Sequence, residues 1–366
     1  MSRHKFRHRN RYPARRYLIP LTAASLAALV LLLQAAGVSR YLEQTFAHWG
    51  SELSLGFLNP VSPLDVPATD SPTMALPDWE SGDLWESIES DDSSAALPDT
   101  ESNRVPQSAN TQAVTITGGG SKYDPNQVYI KNLTDYVIDT SKLLAAKHSV
   151  SIQKDDPDLP QVLIVHTHGT EAYTQHGNDQ YTASGSYRTL DSTQNVLRVG
   201  EEIAQILNNR GIGTVHSTQL HDYPSYSGAY NRALSDIKAW LKKYPSIQLV
   251  IDVHRDALME GNTVYKTIAK VDGSNCAQLM LVTGTDGGNL SHPNWKQNAT
   301  FQVQLHHALN TAHPSIMRPM SFRAGRYNQH MTTGSMLVEV GTCGNTLQEA
   351  LTAARLFANG LANLLL

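Results

Sequence analysis

The sequence predicts a three-layer α/β/α domain over residues 158–366, with helices on both faces of a mainly parallel sheet. Three observations carry that prediction. Apolar, largely β-branched runs such as Val162–Val165, Leu249–Ile251 and Met336–Val338 read as strands buried on both faces. Between them lie longer segments whose apolar residues recur every three or four positions, the period of a helix with one face on a core. Polar clusters then fall at the ends of the strand-like runs, or interrupt them. These are His166-Thr167-His168-Gly169-Thr170-Glu171, Asp252-Val253-His254-Arg255-Asp256 and Glu339. Open α/β sheets place their chemistry beyond strand ends.

In chain order, Val162–His166 is the first strand. Asn195–Asn209 sets Val196, Val199, Ile203, Ile206 and Leu207 at helical spacing, with Gly211 as the stop. Gly213–Ser217 is a short strand. Ala229–Lys243 is a second amphipathic helix, with Ala233, Ile237, Trp240 and Leu241 on one face and Pro245 after its end. Ile247–His254 is the next strand. Thr263–Val271 and Gln278–Gly284 are two further strands, expected to form an antiparallel pair or an insertion. Ala299–Ala312 is a helix and Ser335–Gly341 the last core strand. Thr346 with Glu349 three residues on makes a capping box for a helix that runs to the C-terminus. Residues 122–157, with Tyr136-Val137-Ile138 and a helix-like Thr140–Lys147, form a preamble expected to pack on the domain edge. Gly284–Asn289 is glycine-rich but opens no helix, so it reads as a turn.

The N-terminal third is different. Residues 1–16 carry seven cations and no acid, and residues 17–39 carry no charge at all. At about 1.5 Å per residue that uncharged stretch covers a hydrocarbon core of roughly 30 Å. It predicts a transmembrane helix and argues against a nucleic-acid arm in the basic run. The basic flank places the N-terminus in the cytoplasm and residues 40–366 outside it. A signal peptide cleaved near Ala35-Ala36-Gly37 is the competing reading. Between Asn59 and Ser121 there are seven prolines and eleven acids against a single cation, Arg104. Such a chain buries too little apolar surface to offset its ordering entropy, so residues 40–121 read as an extracytoplasmic disordered linker. Trp79, Leu84, Trp85 and Ile88 read as scattered hydrophobics within it, with a docking motif for a partner as the alternative. Cys276 and Cys343 are the only cysteines. Two in a chain this long are no disulfide framework, although their pairing stays open.

The polar clusters suggest a metal. His168 and Glu171 stand H-x-x-E in the turn after a strand, and His254 comes from a separate strand end. Together they make a His₂Glu set that leaves a position open, the pattern of catalytic zinc sites. Asp191, just before the first helix, is a rival for the carboxylate, and that choice stays open. Glu339 is a carboxylate within an apolar strand, costly to bury without a role, and is the expected general base. His166 and Arg255 are expected helpers for an oxyanion or a product carboxylate. The blander readings are a structural ion network at Asp252, Arg255 and Asp256, and an edge-strand Glu339 facing solvent. His216, His221, His292, His306, His307 and His313 are read as surface residues. No G-x-S-x-G elbow, P-loop, Rossmann fingerprint or H-E-x-x-H is present.

At these residues the chain resembles a known family. Val162-Leu163-Ile164-Val165-His166-Thr167-His168-Gly169-Thr170-Glu171-Ala172-Tyr173 is similar to its first motif. Asn195–Gly200, His221-Asp222-Tyr223-Pro224, Ile251–Ala257 and Leu337–Gly341 follow in the expected order. The family is stage II sporulation protein P, and the resemblance covers about Val128 to Leu366. It implies a zinc-amidase/carboxypeptidase-like domain and a membrane-anchored, zinc-dependent N-acetylmuramoyl-L-alanine amidase. Its substrate would be peptidoglycan, and D,D-endopeptidase activity is implied as well. It also implies a place in forespore engulfment, in the septal and engulfing membrane, with stage II sporulation protein D as partner. The implied ligands are His168, Glu171 and His254, with Glu339 as base; in the related amidases the carboxylate stands where Asp191 does. Thr342-Cys343-Gly344 departs from the simpler turn expected after Gly341. A non-catalytic peptidoglycan-binding module and a carboxypeptidase-type peptidase are the alternative functions.

Overall fold

The computed structural model describes residues 110–153, 156, 158–174, 187–288 and 290–366. The basic tail, the apolar segment 17–39 and the linker up to residue 109 lie outside the described residues. Among those described, no helix is long and apolar enough to cross a membrane.

The strands are β1 (Asn110–Val114), β2 (Ile130–Asn132), β3 (Val162–Val165), β4 (Thr214–His216), β5 (Leu249–Asp256), β6 (Met259–Glu260), β7 (Thr263–Val271), β8 (Ser274–Ala277), β9 (Leu279–Gly284), β10 (Met320–Arg323) and β11 (Met336–Thr342). The helices are α1 (Thr140–Ala145), α2 (Val196–Asn209), α3 (Ala229–Lys243), α4 (Trp295–Ala312) and α5 (Leu347–Leu365). Seven strands form the main sheet in the order β2-β10-β9-β11-β5-β3-β4. β11, β5, β3 and β4 run parallel to one another, as do β9, β10 and β2, and the two groups meet antiparallel at β9–β11. A second sheet gathers around β7, with β1 parallel to it and β6 and β8 antiparallel.

The sheets are therefore mixed, which corrects the expectation of a mainly parallel sheet. The reversal has a local cause. Asp272 (φ 49°) and Gly273 (φ 79°) both lie in the left-handed region, the backbone of a tight hairpin turn, so β7 folds back on β8. With no helix between β7 and β9, the chain re-enters the main sheet in the opposite sense. Thr263–Val271 pairs with β8 and not with the strand at 279–284, as had been expected.

The linker boundary also moves. Asn110–Val114 falls inside the span 40–121 read as disordered, yet it pairs residue for residue with Thr263–Thr267. The preamble packs on the edge through β2, through Ile138 against the main core and through Tyr136, whose ring lies 4.8 Å from that of Trp295, while Val137 between them is fully exposed. Gln304 on α4 donates to the carbonyls of Leu143 and Ala146 at the end of α1.

Helices cover both faces of the main sheet. Val162, Ile164, Leu249, Ile251 and Val253 pack in one large core with residues of α2, α4 and α5. Leu163, Val165 and Val250 point the other way, against Ile237, Trp240 and Leu241 of α3. α3 covers only the β3–β5 side of its face. On the β9–β11 side its Tyr230 packs with Tyr327 over Met280, Val282 and Leu337, and a small cavity there reaches Glu339. α2 begins on Asn195, whose side chain accepts from the Leu197 amide, and α5 on the predicted Thr346–Glu349 capping box.

Candidate active site

The turn after β3 is held by two buried carboxylates from elsewhere. Asp252 on β5 accepts from the Thr167 amide (2.8 Å) and hydroxyl (2.5 Å). Asp222 accepts from the Thr170 amide (3.2 Å) and hydroxyl (2.5 Å), and its charge is met by Arg188 Nη1 at 2.6 Å. The Glu171 amide then donates to the His168 carbonyl (3.1 Å), which closes the H-x-x-E turn.

Three of the expected side chains meet there. His168 is 2% exposed, and neither ring nitrogen has a hydrogen-bond partner. Its ring stacks on Tyr226, with centroids 4.4 Å apart and planes 5° from parallel, and meets His254 edge-on at 5.4 Å. His254 Nδ1 lies 3.6 Å from Glu171 Oε2, while its Nε2 lies 2.9 Å from Asp252 Oδ1. Glu171 Oε2 accepts from the Arg255 amide (3.2 Å), and Oε1 is 3.5 Å from Arg188 Nη2.

The charges divide by environment. Burial pushes the His168 imidazole down to about 3, so it stands neutral. Burial also pulls on His254, but Asp252 and Glu171 hold it well above its ordinary value. Glu171 stays ionised: burial would raise it, but His254, Arg255 and Arg188 hold it well below the usual carboxylate range.

Glu339 stands directly opposite His254 on β5 and Met280 on β9. It is buried, its Oε2 has no hydrogen-bond partner, and burial followed by the nearby Asp256 pushes its carboxyl up to about 8. Past it β11 bulges before Thr342, with Gly341 at φ 71°, where a Cβ would come within 2.8 Å of Asn345 Oδ1. Asn345 Oδ1 accepts from the amides of Thr342 (2.9 Å) and Thr267 (3.2 Å). The unexpected Thr342-Cys343-Gly344 turn thus ties the two sheets together.

Among the described residues, no three His, Cys, Asp or Glu side chains already close into a cage for an ion. The donor chemistry nevertheless fits zinc. A buried neutral imidazole with both nitrogens unpartnered faces a second imidazole and an ionised carboxylate. The second imidazole has its far nitrogen beside an aspartate, an arrangement that orients a ligating histidine.

The other expected residues lie elsewhere. Asp191 is exposed, and its Oδ1 accepts from the amide and hydroxyl of Thr193, so it is a turn residue outside the cluster. His166 places Nδ1 on the Val253 carbonyl (2.9 Å) and Nε2 against His216 Nε2 (2.8 Å), beneath Gly200 of α2. Strand alternation turns it to the face opposite His254. Arg255 also points to that face and donates to the carbonyls of Ala172 (2.9 Å) and Tyr187 (3.0 Å). Both expected helpers are structural braces. Cys276 and Cys343 are buried free thiols, and burial pushes both up, Cys276 to about 12, which disfavours the thiolate form.

The family model for Stage II sporulation protein P (SpoIIP) matches residues 84–362. The chain belongs to the stage II sporulation protein P family. The stage II sporulation protein P of Bacillus subtilis (strain 168) is 27% identical over 227 residues, covering 58% of this chain and 54% of the relative. The chain thus spans about half the length of the curated relative it matches. Among solved structures, the N-acetylmuramoyl-L-alanine amidase AmiC2 of Nostoc punctiforme superposes with a TM-score of 0.34 at 14% identity, over 56% of this chain and 97% of that one. The apo N-acetylmuramyl-L-alanine amidase Ami1 of Mycobacterium abscessus gives 0.35 at 12% identity, over 56% and 96%.

In this SpoIIP-family chain several site residues escaped the sequence reading. Asp252 was legible, because two residues before His254 on a strand means the same face. Tyr226, Arg188 and Asp222 sit on loops, where no periodicity points at a distant turn. The surface reading fails for His221, His292 and His306, all buried, and for His216 through its pairing with His166. His221 places Nδ1 on the His166 carbonyl (2.8 Å) and Nε2 3.3 Å from Asp236.

Proposed function

We propose that this family member is a zinc-dependent peptidoglycan hydrolase that cleaves the amide between the lactyl group of muramic acid and L-alanine during sporulation. One observation carries the reading. Glu339, buried with a partnerless oxygen and a raised carboxyl, stands across one strand pairing from His254, whose ring meets that of His168 edge-on at 5.4 Å. A base poised to hold a proton near neutrality, next to a His₂Glu donor set, suits amide hydrolysis by activated water.

His168, Glu171 and His254 would hold the metal. Zinc, when bound, supplies a Lewis acid for the scissile carbonyl and makes water a nucleophile near neutral pH. Asp252 keeps the proton of His254 on Nε2 and turns Nδ1 toward Glu171. The Arg255 amide and Arg188 fix the Glu171 carboxylate. Glu339 takes the proton of the attacking water and delivers it to the departing nitrogen. The same groups would serve the D,D-endopeptidase activity that the family resemblance implies. The uncharged segment 17–39 supports a membrane anchor with the hydrolase outside, and the resemblance supports stage II sporulation protein D as its partner.

Digestion of purified sacculi tests the activity. New L-alanine amino termini on intact glycan strands are expected, and sacculi left uncut would overturn the reading. Glu339→Gln should lower turnover by about 10²–10⁴-fold while zinc content stays unchanged. A fully active variant would remove Glu339 as base.

A further inference from the structure

The two histidines of the donor set are held in different ways. His254 has Asp252 at 2.9 Å from its Nε2, the kind of carboxylate that ordinarily fixes the plane of a ligating imidazole. His168 has no such group, since neither of its ring nitrogens has a hydrogen-bond partner. An imidazole turns about two side-chain bonds, so some other contact must keep this ring in one plane. Three aromatic rings surround it. Tyr230 and His254 meet it edge to face, at 5.6 and 5.4 Å and nearly perpendicular (88° and 83°). Tyr226 lies flat on it, with centroids 4.4 Å apart and planes 5° from parallel. A stacked ring restrains the plane of the imidazole yet touches only its face, whereas the nitrogen lone pairs point outward in that plane.

Tyr226 belongs to a loop and is 41% exposed, yet it is firmly mounted. Arg232, in the first turn of α3, donates to the carbonyls of both its chain neighbours, Ser225 and Ser227, and to that of His221. The Ala229 amide donates to the Tyr226 carbonyl at 3.2 Å. The guanidinium carbon of Arg188 lies 4.9 Å from the centre of the Tyr226 ring. The same guanidinium reaches Asp222 at 2.6 Å and Glu171 at 3.5 Å. One cation thus steadies the carboxylate of the H-x-x-E turn directly and its imidazole through the tyrosine.

We propose that Tyr226 is the positioning residue of His168: ring stacking, in place of a hydrogen bond, sets the imidazole plane that the metal requires. The proposal rests on the reading of His168 as a zinc ligand. A ring fixed in advance need not be ordered when the ion arrives, so the gain falls on metal affinity. The face of the ring does this work and the hydroxyl takes no part, so Tyr226→Phe should serve as well as the native residue.

The full-length chain, stripped of metal, is titrated with zinc in competition with a chromophoric chelator. Tyr226→Leu, which keeps apolar bulk without a ring, should weaken binding by about 3–10-fold, the worth of an aromatic pair. Tyr226→Phe should keep the unaltered affinity. A Tyr226→Leu variant that binds as tightly as the unaltered chain, or a Tyr226→Phe variant that loses as much as Tyr226→Leu, would overturn the proposal. Proton resonances of the His168 ring in the metal-free chain, identified by their loss in His168→Gln, report the stack itself. Beneath a tyrosine face they should lie upfield, stay there in Tyr226→Phe and return downfield in Tyr226→Leu, a change that a mere loosening of the fold would spread over other histidines. Unshifted resonances in the unaltered chain would also overturn it. Failure of the ligand reading looks different: the unaltered chain would take up no zinc, or His168→Ala would take up as much, and the proposal would fall with the ligand set while the upfield resonances persisted.

Discussion

His168 buries two ring nitrogens with no partner in the protein. An unsatisfied buried polar group costs about 1–3 kcal/mol, so such a ring persists where something outside the chain completes it. Its companions separate the two rival carboxylates. Glu171→Ala should remove bound zinc from the purified protein, while Asp191→Ala should keep it, measured as metal per chain; the reverse pattern would overturn the ligand set. Asp252→Asn should weaken zinc binding by about 10–100-fold in a competition titration, because it removes the carboxylate that holds the His254 proton on Nε2. At this scale the sequence was a fair guide. H-x-x-E and the lone acid in an apolar strand pointed to residues that do converge. His166 and Arg255 misled because they sit in the same strings, yet alternation along a strand sends neighbouring residues to opposite faces.

Single elements obey propensity until a neighbour intervenes, and Gly200 in α2 shows the balance. Alanine there would gain about 1 kcal/mol of helix propensity. Its Cβ, however, would lie 2.5 Å from His166 Nε2 and 2.9 Å from His216 Nε2, two rings fixed by their own hydrogen bond. Overpacking of that kind costs about 1–3 kcal/mol, so Gly200→Ala should destabilise the domain in denaturant unfolding despite the better helix former. The long helices and central strands were legible because each repeats one period for many residues; α3 begins and ends where its pattern does. What was missed is short or irregular. β10 has four residues with two polar ones among them, and β1 lies in a segment whose composition favours disorder. The Asp272-Gly273 turn carried a hairpin signal, but only the structure shows that it reverses the sheet.

Across the whole molecule, one helix layer stops short, and Tyr230 and Tyr327 close over β11 and β9 in its place. The second sheet braces the other end of the site through Asn345 and Thr342, and Thr342 donates to the Tyr265 carbonyl at 2.6 Å. β1 belongs to that brace, with Gln278 exchanging hydrogen bonds with the backbone of Ile116 (2.8 and 2.9 Å). A fragment beginning at residue 120 should therefore melt below one beginning at residue 104. Losing the β1–β7 ladder together with the bonds of Thr115 and Ile116, each worth about 1 kcal/mol, predicts a fall of roughly 10 °C or more. Equal melting temperatures would show that β1 contributes nothing.

The pairing of β1 with β7 also sets an order of events in time. Asn110 meets Thr263, and Thr115 donates to the Ile268 carbonyl across 153 residues of chain. The entropy of closing so long a loop must be met before that pairing returns anything, and distant pairings of this kind are slow to form. The strand at Asn110–Val114 is made 153 residues before the partner it needs. Until Thr263–Thr267 is made, β1 has no strand to pair with.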